Sequence, residues 1–238
     1  MVQSSQQLRS LCIDCLQNRA LSMSQRILLM GMQLQKVLDH PEQIAQILQE
    51  FEARLEQAEL VAQQLVLPQN EQEVLLCLHQ HMKTLVRVWQ IREVNDFLVK
   101  LIRCTCREQE EKEFILDITY QDYLAAKQRM EKTFGDLEYF FENLAVHLFF
   151  YLGQPQVKDE EEFWKGYVNF CNVYSLFRFA AVMTCLEGMP ADKETLFNGL
   201  VTVSRNLIHS RNNQDTIRDE FFANESTSLA HMAVLLSL

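Results

Sequence analysis

Pro41-Glu42-Gln43-Ile44-Ala45-Gln46-Ile47-Leu48-Gln49-Glu50-Phe51-Glu52-Ala53-Arg54-Leu55-Glu56-Gln57-Ala58-Glu59-Leu60-Val61-Ala62-Gln63-Gln64-Leu65 is the stretch that decides the fold. Ile44, Ile47, Leu48, Phe51, Leu55, Ala58, Val61, Ala62 and Leu65 recur at three and four residues, and Gln and Glu fill the remaining positions. This is the period of an amphipathic α-helix with one apolar stripe. Pro41 suits a first helical turn and Pro68 stops the run. About three heptads is short for a coiled coil, so the stripe is expected to pack within the domain.

Working outward, the same period fills the chain. A first helix is expected over about 4–18, with Leu8, Leu11, Cys12, Cys15 and Leu16 on one side. A second, capped by Ser22 or Ser24, runs to about Leu38. Further helices are expected at about 71–89, 93–104, 119–133, 136–152, 160–187, 192–209, 213–223 and 226–236, with Asp136 and Asp192 as N-caps and Gly153 and Gly188 as C-caps. The charged run 107–113 reads as a solvated helix end or loop. Residues 114–119 have β-propensity but no evident partner strand, and read as irregular or helical. With 6 Gly and 4 Pro in 238 residues, the expectation is an all-α fold of about ten helices, with possible subdomains over 1–113 and 114–238.

Composition excludes several function classes. The formal charge is −10, from 22 basic and 32 acidic side chains, which disfavours nucleic acid and anionic lipid as partners. The N-terminus lacks a basic segment followed by an apolar one, so no signal peptide is expected. The most apolar stretch, 167–186, contains Asn169, Asn172, Ser175, Arg178 and Thr184, and reads as a buried helix rather than a membrane span. Seven Cys without framework spacing fit reduced thiols in the cytoplasm.

Motifs of catalysis are scarce. There is no H-E-x-x-H, no G-x-S-x-G, no Walker loop and no G-x-G, so no catalytic residue is assigned and no nucleotide loop is expected. Cys12 and Cys15 share a helical face, and Cys104 and Cys106 offer a second pair. Cys12 and Cys15 lie on the apolar stripe, however, where Cys behaves as a small hydrophobe, so no metal is expected. His79 and His81 lie on different sides of their helix and read as surface residues. A polar seam stands out in the apolar last third: Glu142, Asn143 and His147 on one helix, Tyr174 and Arg178 on another, Arg205 and His209 on a third. Such groups either lock a core through interhelical hydrogen bonds or line a cleft. A buried charge requires a partner, so Glu142 and Arg178 are expected to pair.

Glu142-Asn143 opening an aromatic helix, Tyr174-x-x-x-Arg178-Phe179, an acidic cap near Asp192, Ser204-Arg205-x-x-x-His209-Ser210 and the closing 229–236 together resemble the C-terminal part of the flagellin lysine-N-methylase family. These are bacterial enzymes that methylate lysines of flagellin. The likeness is best over 136–238 and weaker over 1–135. It implies methyl transfer from S-adenosylmethionine to flagellin or another protein substrate, and an iron–sulfur cluster or other metal on a cysteine-rich N-terminal segment. Nothing in this chain matches that segment, so the chain reads as an excised or truncated helical C-terminal domain, inactive alone and monomeric or weakly dimeric. It would recognise the substrate or complete the active cleft, with Glu142 placed to orient the amine. The alternative is a non-enzymatic module that binds flagellin or a related protein.

Overall fold

The computed structural model describes residues 2–68, 70–89, 96–108, 114–135, 137–152, 160–207, 222 and 227–238. Helices α1 (Val2–Leu16), α2 (Met23–Asp39), α3 (Ile44–Glu56), α4 (Ala58–Gln64), α5 (Glu71–Trp89) and α6 (Asp96–Thr105) are followed by strands β1 (Cys106–Glu108) and β2 (Phe114–Leu116). Helices α7 (Tyr120–Phe134), α8 (Glu138–Leu152), α9 (Glu160–Met183), α10 (Lys193–Leu207) and α11 (Leu229–Ser237) complete the described chain. The fold class is all-α, as the periodicity requires.

Helix starts follow local chemistry. Ser22 caps α2 with a capping box: its hydroxyl accepts from the Gln25 amide while Gln25 Oε1 accepts from the Ser22 amide. Thr119 and Asp122 repeat the device at α7. Asp192 Oδ1 accepts the Thr195 amide at 2.7 Å and starts α10, as expected. Asp136 and Gly153 lie outside the described residues, as does the expected helix at 213–223 apart from Phe222.

Three expectations need correction. The helix expected over 41–65 is divided: Pro41–Gln43 forms a single 3-10 turn, and Gln57, at φ −100° and ψ 31°, separates α3 from α4. Neither Gly nor Pro accounts for the break at Gln57. The stretch 114–119 does have a strand partner. β2 pairs antiparallel with β1 in the register Cys106–Leu116, Arg107–Ile115 and Glu108–Phe114. The partner was hidden because it overlaps the start of the charged run, which reads as a solvated helix end or loop. Gly188 takes a positive φ of 88° but sits in the turns beyond Met183, so it serves the turn rather than closing α9 directly.

The chain groups into two compact units. The first comprises 1–69, 138–174 and 220–237; the second comprises 70–137, 175–219 and Leu238. This grouping differs from the expected division at 113/114, because each unit draws helices from both halves of the chain. In the first unit α2 is central, with α1, α3, α8 and α11 packed against it. Its core contains Leu8, Cys12, Leu16, Ile27, Leu34, Phe51, Phe149 and Phe170, all essentially inaccessible to solvent. Gly31 admits the Tyr167 ring of α9 against the α2 backbone, and the Tyr167 hydroxyl donates to the Ile27 carbonyl at 3.2 Å. In the second unit α5 packs with α7 and α10, and α10 also packs with α6.

Candidate functional site

Two polar assemblies stand out, one in each unit. The first is built around Glu142 of α8, buried and covered by two guanidinium groups. Arg19 donates to both of its oxygens, Nε to Oε2 at 3.0 Å and Nη2 to Oε1 at 2.9 Å. Arg26 Nη1 donates to Oε2 at 2.8 Å. Arg26 is only 1 % exposed, and Leu21 and Leu16 carbonyls accept its Nε and Nη1 at 2.8 and 3.0 Å. Glu138 accepts the Met23 amide at 3.1 Å and lies 3.6 Å from Arg26 Nη2. A hydrogen bond from Arg19, reinforced by Arg26, holds the Glu142 carboxyl below its ordinary range despite burial, which acts the other way.

This overturns the expected Glu142–Arg178 pair. Both Glu142 oxygens are committed to Arg19 and Arg26, two residues that the sequence reading passed over. Arg178 belongs to the second unit, half-buried beside Tyr123 and Lys127. Burial first, and the Arg178 charge second, bring the Lys127 amine down to about 8. A signal for Arg26 was present: it falls among Met23, Ile27 and Met30 on the apolar side of its helix, where a charge demands a partner. Arg19 lies in a link between helices, where periodicity says nothing.

The other seam residues disperse. Asn143 is exposed and donates to the Tyr139 carbonyl of its own helix at 2.9 Å. His147 is exposed and stacks on Tyr151, with centroids 6.4 Å apart. Tyr174 is wholly buried and meets Phe141 edge-on at 6.1 Å. Arg205 is exposed, and His209 lies outside the described residues. His81, read as a surface residue, is fully buried in the second unit. Its Nε2 lies 2.5 Å from Ser175 Oγ and its ring meets Phe179 edge-on at 5.6 Å. Burial pushes its pKa down to about 3, so it is neutral near pH 7. His79 is half-buried, and burial lowers its pKa too.

The second assembly is a cleft of about 550 Å³ within the second unit. Cys104 of α6, Asp117 and Ile118 of the β2–α7 link, Asp122 and Arg129 of α7, and Cys185, Leu186 and Glu187 after α9 line it. The ribbon aims the link, since the Asp117 amide donates to the Thr105 carbonyl at 2.6 Å. Asp117, Asp122 and Glu187 face solvent. Hydrogen bonds from Thr119 hold the Asp122 carboxyl below the ordinary range. Three carboxylates against one guanidinium make a mouth that favours a cation, over an apolar floor of Ile118 and Leu186. None of the seam residues lines this cleft. None of its carboxylates was singled out in the sequence; Asp117 and Glu187 are distant in sequence and follow no period.

Cys12 and Cys15 behave as core thiols. Cys12 and Cys15 are buried in the first unit, where burial pushes their thiols up, that of Cys15 to about 12. A cluster needs thiolates. Cys104 belongs to the second unit, and the Cys106 side chain lies outside the description. Among the described residues no three His, Cys, Asp or Glu side chains gather where they can hold one metal ion. Nor is any described helix long and apolar enough to cross a membrane.

Comparison with known proteins places the chain in a family. Residues 9–235 match the family model described as FliB lysine N-methylase C-terminal domain. No curated protein and no solved structure matches.

Proposed function

Because the chain belongs to the FliB lysine N-methylase C-terminal domain family, we propose that it binds the protein substrate of a lysine N-methylase, flagellin or a related protein, and that the acidic cleft of its second unit receives a lysine side chain. The observation that carries this reading is the cleft itself: Asp117, Asp122 and Glu187 line it together with Ile118 and Leu186, carboxylates for an ammonium beside apolar side chains for the butyl stem of a lysine. Carboxylates attract the ammonium form. Methyl transfer needs the neutral amine, which alone has a lone pair. The cleft therefore captures and orients the side chain and stabilises its charged state. The role expected of Glu142 is withdrawn, since a buried carboxylate committed to two guanidinium groups has no oxygen for an amine.

S-adenosylmethionine, when bound, supplies the electrophilic methyl group. The only sheet among the described residues is the β1–β2 ribbon, and the described residues offer no strand, glycine loop and helix to cradle that donor. Substrate binding is the contribution this proposal assigns to the described residues.

Titration of purified flagellin into the domain tests the reading. Asp117→Asn with Glu187→Gln should weaken binding about tenfold, as should acetylation of the flagellin lysines, each reflecting about 1.4 kcal/mol. Equal affinity in all three experiments would remove the cleft from substrate recognition.

A further inference from the structure

The α7 wall of the acidic cleft changes sign along its length. Asp122, Ala125, Ala126 and Arg129 all line the cleft, at i, i+3, i+4 and i+7, which is one side of a helix. At the helical rise this spacing sets the Asp122 and Arg129 backbones about 10 Å apart. Between them the two alanines project only a methyl each, so the wall is low in the middle and charged at both ends. Asp117 lies in the link that enters α7 at Tyr120, so both aspartates belong to the N-terminal end of the wall.

Arg129, at the other end, has no carboxylate partner among the described residues. It is exposed, and its one hydrogen bond there runs from Nη1 to the Leu186 carbonyl at a long 3.5 Å. It forms no ion pair, although three carboxylates line the same cleft. Burial raises the Cys185 thiol, while a Thr184 hydrogen bond and the Arg129 charge act the other way, so the guanidinium lies on the Cys185 side of the cleft. A guanidinium keeps its charge and offers five N–H donors, of which a single neutral carbonyl engages few.

We infer that Arg129 is a specificity-determining residue of this cleft, and that the lysine it favours has a Glu or Asp two residues away in the substrate's sequence. The inference rests on the reading of the cleft as a lysine site. The ammonium goes to the aspartate end of the wall, and the neighbouring carboxylate goes to Arg129. Residues two apart on an extended segment point to one side and lie about 7 Å apart. The reach of the Lys and Glu side chains spans the rest of the wall. Arginine suits this role because its planar fork meets a carboxylate with two parallel N–H bonds. A chain of net charge −10 repels an acidic segment as a whole. A gain in affinity from an added Glu therefore has to come from a local cation, and Arg129 is the cation that lines this cleft.

The probes are three labelled peptides with one central lysine in an otherwise uncharged sequence. One has Glu two residues before the lysine, one has Glu two residues after it, and one has Gln at both places. Fluorescence anisotropy on the full chain at low ionic strength should show a Glu peptide binding about three- to fivefold more tightly than the Gln peptide, the range of an exposed ion pair. Arg129→Gln should bring that ratio to one, and Arg129→Glu should take it below one; a ratio cancels any general effect of the substitution on the fold. Protection of Arg129 from phenylglyoxal by the favoured Glu peptide and not by the Gln peptide, read by mass spectrometry, supplies a measurement on the unaltered chain. Equal binding of all three peptides, or a ratio unmoved by Arg129→Gln, overturns the inference. The same peptides with norleucine for lysine separate the two readings. If norleucine weakens binding while the ratio stays at one, the lysine site stands and Arg129 has no part in its specificity. If norleucine costs nothing, the lysine site falls and this inference falls with it.

Discussion

Arg26 has no exit from burial. A guanidinium does not give up its proton in a protein, so every N–H must be matched where it sits. The Leu16 and Leu21 carbonyls, Met23 and Glu142 match it. Glu142→Gln should therefore cost roughly 3–5 kcal/mol, by stranding the buried Arg26 charge. Arg19→Ala should cost much less, about 1 kcal/mol or under, because Arg19 is mostly exposed and water replaces its contacts. A double-mutant cycle on urea midpoints checks the assignment. Arg26→Met and Glu142→Gln should couple strongly, whereas Arg178→Met and Glu142→Gln should add to within about 0.5 kcal/mol. Coupling of Glu142 to Arg178 instead would contradict the geometry described above.

Element by element, several helix starts were legible, while the division of 41–65 and the helix partners were not. Ser22, Thr119 and Asp192 announce their helices through local hydrogen bonds that need no tertiary contact. The β1–β2 ribbon was missed because three residues of strand carry too little pattern, and its pairing depends on a neighbour rather than on a period. Gly31 shows the same division. In sequence it is a weak point in a helix, where alanine would stabilise by about 1 kcal/mol. In the fold an added Cβ would strike the Oη and Cζ of Tyr167, whose ring is buried and tied to Ile27. Overpacking of that kind costs about 1–3 kcal/mol, so Gly31→Ala should lower the melting temperature despite its better helix propensity. A rise would mean that the Tyr167 ring can move aside.

For the whole molecule, His81 and Glu142 contribute to acid stability in separate windows. His81 titrates near 6.5 when unfolded and near 3 when folded. Between those values the unfolded chain binds the extra proton, so stability falls as pH drops below about 6.5, with a slope approaching 1.4 kcal/mol per pH unit. The Glu142 carboxyl is depressed in the fold. Its contribution is present above the ordinary carboxylate range and is lost as pH falls through its folded value, a lower window than that of His81. Urea midpoints measured from pH 7.5 to 4.5 should decline for the native chain. His81→Phe should flatten that decline while lowering stability throughout, since the Ser175 contact is lost. An unchanged slope would place His81 in contact with water.

By itself the sequence determined the all-α class, the starts of α2, α7 and α10, and the apolar stripes that form the cores. All of these arise from contacts between residues one to four apart, which periodicity records. Tertiary structure alone decided which charge met which. Arg19 and Arg26 reach Glu142 across more than a hundred residues, His81 is sealed inside by Ser175 and Phe179, and Asp117 meets Glu187 at one cleft. A carboxylate in an apolar helix predicts that a cation will come, because burial unpaired is too costly. Which cation comes depends on how the helices pack, and that information lies in the shape of the interior rather than in the order of the residues.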